Sequence, residues 1–311
     1  MKVACLQMNS NRDIAHNIVR LEALVKEAVG QGAQLVATPE NTFVMGEPLP
    51  GEERRLYTMQ DHPGVAAGAR IARDYGCWLL IGSLAVQEPG LDSQKSFNRS
   101  LLFNPAGEIA AQYDKIHLFD VELGNGEVYA ESSRMLPGGK AVVASLFPSP
   151  GRGEGRGGGL LGRPFSEALS PTLPPAGGGG SIRLGLSICY DLRFPQLYRA
   201  LAKEGADMIA IPAAFTVPTG EAHWHVLLRA RAIETGCFIL APAQTGEHPG
   251  GRRTYGHALI VDPWGKILAD GGTQEGFIIA ELDMAHVART RQRLPSLQHD
   301  RAFVISPGKK T

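Results

Sequence analysis

The stretch Ile182–Asp207, IRLGLSICYDLRFPQLYRALAKEGAD, restricts the fold of this chain more than any other. Ile182, Leu184, Leu186 and Ile188 put an apolar side chain at every second position, the period of a strand. The run stops at Cys189. Phe194-Pro195 then opens a helical pattern, and Pro195 suits a first turn because its missing N–H would have no partner there. Leu197 and Leu201 extend an apolar stripe, and Gly205 stands where a glycine ends a helix. Cys189 is therefore expected on a sharp strand-to-helix turn. Free backbone N–H groups at such a turn favour a thiolate and can hold an oxyanion. The alternative for an intracellular cysteine is a small buried hydrophobe.

The same alternation of strand and helix runs through the chain. Lys2–Met8 reads as a buried strand. Ile14, Ile18, Leu21, Val25 and Ala28 recur at helical spacing, and Gly30 and Gly32 close that helix. Leu35–Ala37 is a second strand. Residues 65–75 read as a helix and 77–82 as a strand, and residues 99–104 and 108–113 flank a hairpin turn at Pro105-Ala106-Gly107. Further strands are expected at 207–211, 237–241, 257–261 and 277–282. A helix over 222–235 is expected to turn Trp224, Leu227, Leu228 and Ile233 inward. The result is a layered α/β fold.

Two more ionisable residues stand at strand ends, where open α/β sheets place their sites. Glu40 follows Leu35–Pro39 in TPEN, and Lys115 follows Ile109–Tyr113 in YDKIHLFD. Taken with Cys189, they resemble the catalytic trio of the nitrilase superfamily of carbon–nitrogen hydrolases, a Glu, a Lys and a Cys in that chain order. The resemblance covers nearly the whole chain through VACLQMNSNRDIAHN, PEN, YDKIHLFDVEL, GLSICYDLRFP, PTGEAHWHVLLRARAIET and YGHALIVDPWGKI. Within the superfamily the chain looks most like the deaminated-glutathione amidase branch, through LLRARAIET, AQTGEH and Tyr255-Gly256-His257. The runner-up is the ω-amidase branch, which acts on 2-oxoglutaramate and 2-oxosuccinamate and shares KIHLFD.

The resemblance implies a four-layer α-β-β-α sandwich, residues 1–311 as one carbon–nitrogen hydrolase domain, and a homodimer or higher homo-oligomer joined helix layer to helix layer. It implies a thiol amidase acting on the amide of a small 2-oxo acid, through a Cys189 thioester, with release of a carboxylate and an amine or ammonia. Glu40 would carry the proton, and Lys115 with the Tyr190 backbone N–H would hold the oxyanion. A second glutamate would orient the site, and both Glu122 and Glu131 compete for that place. Glu131 is preferred because it lies in an E-S then P-G context. Arg193, Arg252 or Arg253 would pair with a substrate carboxylate. His117 is placed in the substrate-binding shell as a hydrogen-bonding histidine rather than as a general base.

Composition narrows the partners. Thirty-one basic and 31 acidic side chains cancel, so nothing in the overall charge demands nucleic acid or a membrane surface. The four cysteines form no C-x-x-C pair, and Cys5, Cys77 and Cys237 lie in apolar runs, so they are expected as reduced core residues in a cytoplasmic protein. No membrane span is expected, because no window approaches the roughly 18 apolar residues one needs. No His/Asp/Glu group has metal-ligand spacing along the chain, and neither metal nor cofactor is expected. One segment stands outside the pattern: in residues 147–180, 17 of 34 residues are Gly or Pro. It is expected as a disordered insertion at the end of a hairpin, because it has too little apolar surface to bury. Arg152, Arg156 and Arg163 without interleaved aromatics make a poor RNA-binding footprint. A scaffold protein that used this loop as a tether would have no need of a Glu, a Lys and a Cys at three strand ends.

Overall fold

The computed structural model describes residues 1–46, 55–90, 94–124, 126, 128–147 and 181–306. The chain opens with β1 (Lys2–Met8), α1 (Ile14–Gly30), β2 (Leu35–Ala37), α2 (Pro63–Tyr75) and β3 (Trp78–Val86). Next come β4 (Ser96–Phe103), β5 (Ile109–Asp114), the hairpin of β6 (Asp120–Glu122) and β7 (Val128–Ala130), a 3-10 turn at Glu131–Ser133, and β8 (Met135–Leu136). The second half holds β9 (Val142–Leu146), β10 (Ile182–Leu186), a 3-10 turn at Cys189–Arg193, α3 (Pro195–Lys203) and β11 (Met208–Ala210). A one-turn α4 (Val217–Thr219) and a π-helical turn (Gly220–Trp224) lead into α5 (His225–Thr235). The rest is β12 (Phe238–Ala241), β13 (Ala243–Glu247), β14 (Arg253–Tyr255), β15 (Leu259–Val261), β16 (Ile267–Asp270), β17 (Gly276–Glu281) and α6 (Ala285–Arg293).

The strands form two large sheets. One runs β14-β13-β1-β2-β3-β4-β5, with β17 also on β1 and β8 on β4; the other runs β16-β15-β12-β11-β10-β9. Each has a parallel centre, β1-β2-β3 in one and β10-β11-β12 in the other, joined through helices. Strands of the first sheet bury both faces. Val3 and Cys5 of β1 point into the core shared with the second sheet, whereas Ala4, Leu6 and Met8 point into a second core under α1 and α2. Trp78 and Leu80 against Leu79 and Ile81 repeat the split in β3. That is the two-residue period with both sides covered. Helices α3 and α5 pack on each other, and α5 packs on β12. Helix, sheet, sheet and helix make the expected four layers.

A chain that folds on itself this way needs polar branch points. At Gln7, β1 passes from β17 to β13. The buried Gln7 amide gives N–H bonds to the carbonyls of Gly271, Gly272 and Gln274, and its oxygen accepts from Ala258 N–H at 2.7 Å. Leu146 pairs with Ile182 in an antiparallel ladder, so β9 and β10 form the expected hairpin. Residues 148–180 of the expected insertion lie outside the described residues.

One helical expectation changes. Ile233 is 45% exposed, because the buried face of α5 runs through Leu228, Arg231, Ala232 and Thr235. Ile233 lies to one side of it and rests against Gly265 in the Pro263-Trp264-Gly265 turn. Among the described residues, no helix is long and apolar enough to cross a membrane.

His62 caps α2 through Nδ1, which accepts from Gly64 N–H at 2.9 Å, and its ring lies against Tyr57 and Phe43. Burial pushes its pKa from 6.5 down to about 4. The unfolded chain therefore takes up this proton first, and stability is lost as pH falls from 6.5 toward 4. Between pH 6.5 and 5 the loss is about 2 kcal/mol. His62→Asn keeps a cap acceptor that cannot titrate, so denaturant titrations at the two pH values should show a correspondingly smaller difference for the variant. An identical difference in both proteins would remove His62 from the acid sensitivity.

Candidate active site

Three strand ends meet around one ammonium group. Lys115, just past β5, is 1% exposed. Its Nζ donates to Glu40 Oε1 at 2.9 Å and to Glu131 Oε2 at 2.8 Å. Glu40 follows β2, and Glu131 opens the 3-10 turn after β7. Both carboxylates are held from further sides. Asn98 of β4 donates one amide N–H pair to Glu40 Oε1 at 3.0 Å and Glu131 Oε1 at 3.1 Å. Ala214 N–H donates to Glu40 Oε2 at 3.0 Å, and Phe119 N–H to Glu131 Oε2 at 2.7 Å. A buried ion pair is tolerated when its remaining lone pairs are met in this way.

Cys189 stands beyond the end of β10, three residues past its last strand residue, Leu186. Its backbone is left-handed, with φ +48°, a conformation rare for a side chain-bearing residue. Its N–H donates to Pro212 O at 2.9 Å. The turn is closed by the fully buried Asp191, whose Oδ2 accepts from Ile188 N–H at 2.9 Å and from Tyr113 O–H at 2.6 Å. Asp191 Oδ1 accepts from His117 N–H at 3.0 Å and lies 2.7 Å from His117 Nδ1. The Asp at the third position of Cys-Tyr-Asp thus ties the cysteine turn to the segment that carries Lys115. Arg231 of α5 secures the other end by donating Nε–H and Nη2–H to Leu192 O at 2.9 and 2.7 Å.

These contacts set the protonation states. Burial alone would neutralise Lys115, but Glu40 and Glu131 outweigh it and hold the ammonium above its ordinary range. Burial alone would raise Glu40, but Lys115 outweighs it, and the Cys189 thiol and Arg252 add to the lowering. For Cys189, burial and the Glu40 carboxylate both push the thiol well above 9.0, against a smaller opposing pull from Lys115. The expected thiolate is therefore corrected: the resting group is a thiol beside an ionised Glu40. Dehydration and a neighbouring anion exceed what the turn's N–H groups can supply.

A cavity of about 540 Å³ opens over this cluster and is lined by Glu40, Lys115, Glu131 and Cys189. Tyr190 and Arg193 line it as well. The Arg193 guanidinium lies 5.7 Å from the Tyr190 ring centre and 5.6 Å from that of Phe215. Arg252 reaches the cavity, and the neighbouring exposed Arg253 does not line it. Glu122 sits exposed on β6 and meets neither Lys115 nor the cavity lining, whereas Glu131 does both. His117 is not part of the lining. Its ring stacks on Phe194 at 3.6 Å and serves Asp191, so it belongs to the support of the turn. Asn98 and the Ala214 N–H escaped the sequence reading. Asn98 stands among Ser96, Arg99 and Ser100 in β4, so its polarity did not single it out, and a backbone N–H leaves no signal.

Away from the cavity, His225, His257 and Asp270 form one group close enough to share an ion, the only such group among the described residues. Their separation of up to 45 residues hides the grouping from sequence spacing. Asp270 accounts for both rings, lying 3.1 Å from His225 Nε2 and 2.9 Å from His257 Nδ1. Cys5, Cys77 and Cys237 are buried and outside any disulfide, as expected of reduced core residues.

The profile of the Carbon-nitrogen hydrolase family matches residues 2–292. Deaminated glutathione amidase of Synechocystis sp. is 39% identical over 307 residues, 97% of this chain and 98% of that protein. The human protein of the same name is 36% identical over 312 residues, 96% of this chain and 82% of that protein. The crystal structure of Saccharomyces cerevisiae Nit3, a member of branch 10 of the nitrilase superfamily, superposes with a TM-score of 0.71 at 26% identity, covering 95% of this chain and 94% of that one. Matched in sequence over almost its full length and in fold by a solved member, the chain belongs to the carbon–nitrogen hydrolase family.

Proposed function

We propose that this protein is a thiol amidase that hydrolyses the amide of deaminated glutathione, with Glu40, Lys115 and Cys189 as its catalytic residues. The observation that carries the reading is that Cys189 lines one cavity with a buried Glu40 carboxylate, to which the Lys115 ammonium donates at 2.9 Å. A thiol attacks an amide carbon only as its proton leaves, and Glu40 is the base in contact with it. As the S–C bond forms, Glu40 takes the proton, and the carbonyl π pair moves onto oxygen. The Lys115 ammonium and the Tyr190 N–H stabilise that oxyanion. Collapse breaks the C–N bond, and Glu40 gives its proton to the departing amine. A thioester remains on Cys189. Water, deprotonated by Glu40, adds to it, and the second collapse releases the carboxylate and restores the thiol. Glu131 keeps Lys115 charged and aimed. Arg193 pairs with the carboxylate beside the keto group, as a planar fork framed by Tyr190 and Phe215.

Replacing any one of the trio should disable the others, since they act as a unit. Cys189→Ala, Glu40→Gln and Lys115→Met should each lower kcat/KM by about 1,000-fold or more, roughly 4 kcal/mol of barrier. Circular dichroism would confirm that the variants stay folded. A folded variant with more than about a tenth of the parent activity would remove that residue from the chemistry.

The pH profile follows from the charge states. Glu40 is held below its usual 4.5, and Cys189 and Lys115 above their usual values, so the active protonation state spans neutral pH. Values of kcat/KM should stay level from about pH 5.5 to 8.5. A step near pH 6.5 would indicate a histidine base instead.

Substrate choice separates the two branches. Ammonia or amine release should give a higher kcat/KM for deaminated glutathione than for 2-oxoglutaramate. The reverse order would move the protein to the ω-amidase reading.

A further inference from the structure

The cavity wall carries more positive charge than the reaction employs. Arg12, Arg55, Arg134, Arg193 and Arg252 line it alongside Lys115, while Glu40 and Glu131 are the only carboxylates among its described lining residues. Both carboxylates are already engaged by Lys115. Arg12 and Arg252 make no ion pair with any described residue, and the Nε of each is buried without a hydrogen-bond partner. Arg252 gives one N–H to Ala214 O at 2.9 Å and lies over the Tyr129 ring at 5.4 Å.

The two side chains border one loop. Arg252 closes the turn in which His248 N–H donates to Arg252 O at 2.8 Å. The Arg12 Nη2 lies 4.0 Å from the place a Cβ on Gly250 of that turn would take, and its Nε lies 3.5 Å from the corresponding place on Gly46. Arg193 stands elsewhere, on the cysteine turn. Arg252 adds to the field on Glu40 from beyond ion-pair distance, and half-buried guanidinium groups short of a paired counter-charge are costly unless an anion completes them. One carboxylate, at Arg193, leaves this pair unmatched.

We propose that Arg12 and Arg252 form a second carboxylate subsite, which holds the free C-terminal carboxylate of a peptide leaving group. This rests on the amidase reading above, and it narrows the substrate to an amide with a carboxylate at each end. Two extended residues beyond the scissile nitrogen reach about 7 Å, and both arginines line the same cavity as Cys189. In deaminated glutathione that arm is cysteinylglycine. 2-Oxoglutaramate has no such arm. The fork geometry of a guanidinium matches a carboxylate with two parallel N–H bonds.

The test uses the full chain carrying Cys189→Ala, which binds without turnover. Calorimetry compares deaminated glutathione with its C-terminal carboxamide, identical but for one charge. The acid should bind about 10- to 100-fold more tightly. Adding Arg12→Gln should shrink that preference to about threefold or less, and Arg12→Lys should retain part of it. A general loosening of the fold would weaken both ligands together and leave the ratio intact, and that result counts against the subsite. Equal binding of acid and carboxamide, or a preference that survives both Arg12→Gln and Arg252→Gln, overturns it. Turnover by the parent protein is scored separately. If it releases nothing from deaminated glutathione or 2-oxoglutaramate, the amidase reading fails, while the acid-to-carboxamide ratio still decides the subsite.

Discussion

The Lys115 ammonium, buried between two carboxylates, is the interaction on which the rest of this structure depends. A lone ammonium at that depth would shed its proton, because dehydration of an isolated charge costs several kcal/mol. Two carboxylates reverse that balance, and they in turn require donors of their own. The chain supplies these from four places: Asn98 in β4, Phe119 after β5, Ala214 after β11, and Lys115 itself. The two sheets therefore share a single hydrogen-bonded cluster, and neither can shift without breaking charge-assisted bonds. One atom of the cluster is left short: the buried Asn98 Oδ1 has no hydrogen-bond partner among the described residues.

Backbone strain and close packing hold the cluster in place. Cys189 keeps a left-handed backbone, a conformation that costs of order 1–3 kcal/mol for such a residue and survives only where its surroundings dictate it. Asp191 dictates it, through bonds to Ile188, Tyr113 and His117. On the opposite side, Gly82 in β3 lets the chain before Glu40 come close. A Cβ there would stand 2.0 Å from Thr38 O and 2.4 Å from Pro39 O. Gly82 N–H also donates to Thr38 Oγ1 at 2.8 Å. The absence of one methyl group sets how deep Glu40 reaches.

Sequence periodicity revealed the strand ends well, because β1, β2 and β3 bury alternate residues in two different cores and β10 turns its alternate apolar residues, Leu184 and Leu186, into one of them. It placed Glu40, Lys115 and Cys189 at those ends. It failed where the answer depends on what lies across the fold. The thiol was expected as a thiolate from its own turn, but its state is set first by burial and then by Glu40, 149 residues away in the chain. Glu122 and Glu131 flank the same hairpin, and only folding shows that β6 turns the first outward. His117 was placed in the substrate-binding shell as a hydrogen-bonding histidine, yet its ring turns to Asp191 and Phe194. Ile233 was assigned inward by spacing alone, and the turn at Gly265 gave it a different neighbour.

The coupling of the three charges also explains how one carboxylate could serve as base, then acid, then base again within the proposed reaction. At rest, Lys115 holds Glu40 ionised, so it is ready to accept the thiol proton. Once an oxyanion forms, the ammonium divides its attraction between that oxygen and Glu40. The pull that kept Glu40 acidic weakens at the moment it has taken a proton. The proton then stays on Glu40 until the leaving nitrogen, now bonded as an amine, offers a better home. When the tetrahedral intermediate collapses, the oxyanion disappears, Lys115 returns its full field to Glu40, and the carboxylate is again a base for water. The pKa that matters belongs to the group of charges rather than to Glu40 alone. In the proposed cycle Glu131 would keep Lys115 cationic while its other partner changes charge. A single carboxylate beside the lysine would leave the ammonium unpaired each time Glu40 became neutral, and burial would then favour loss of the lysine proton.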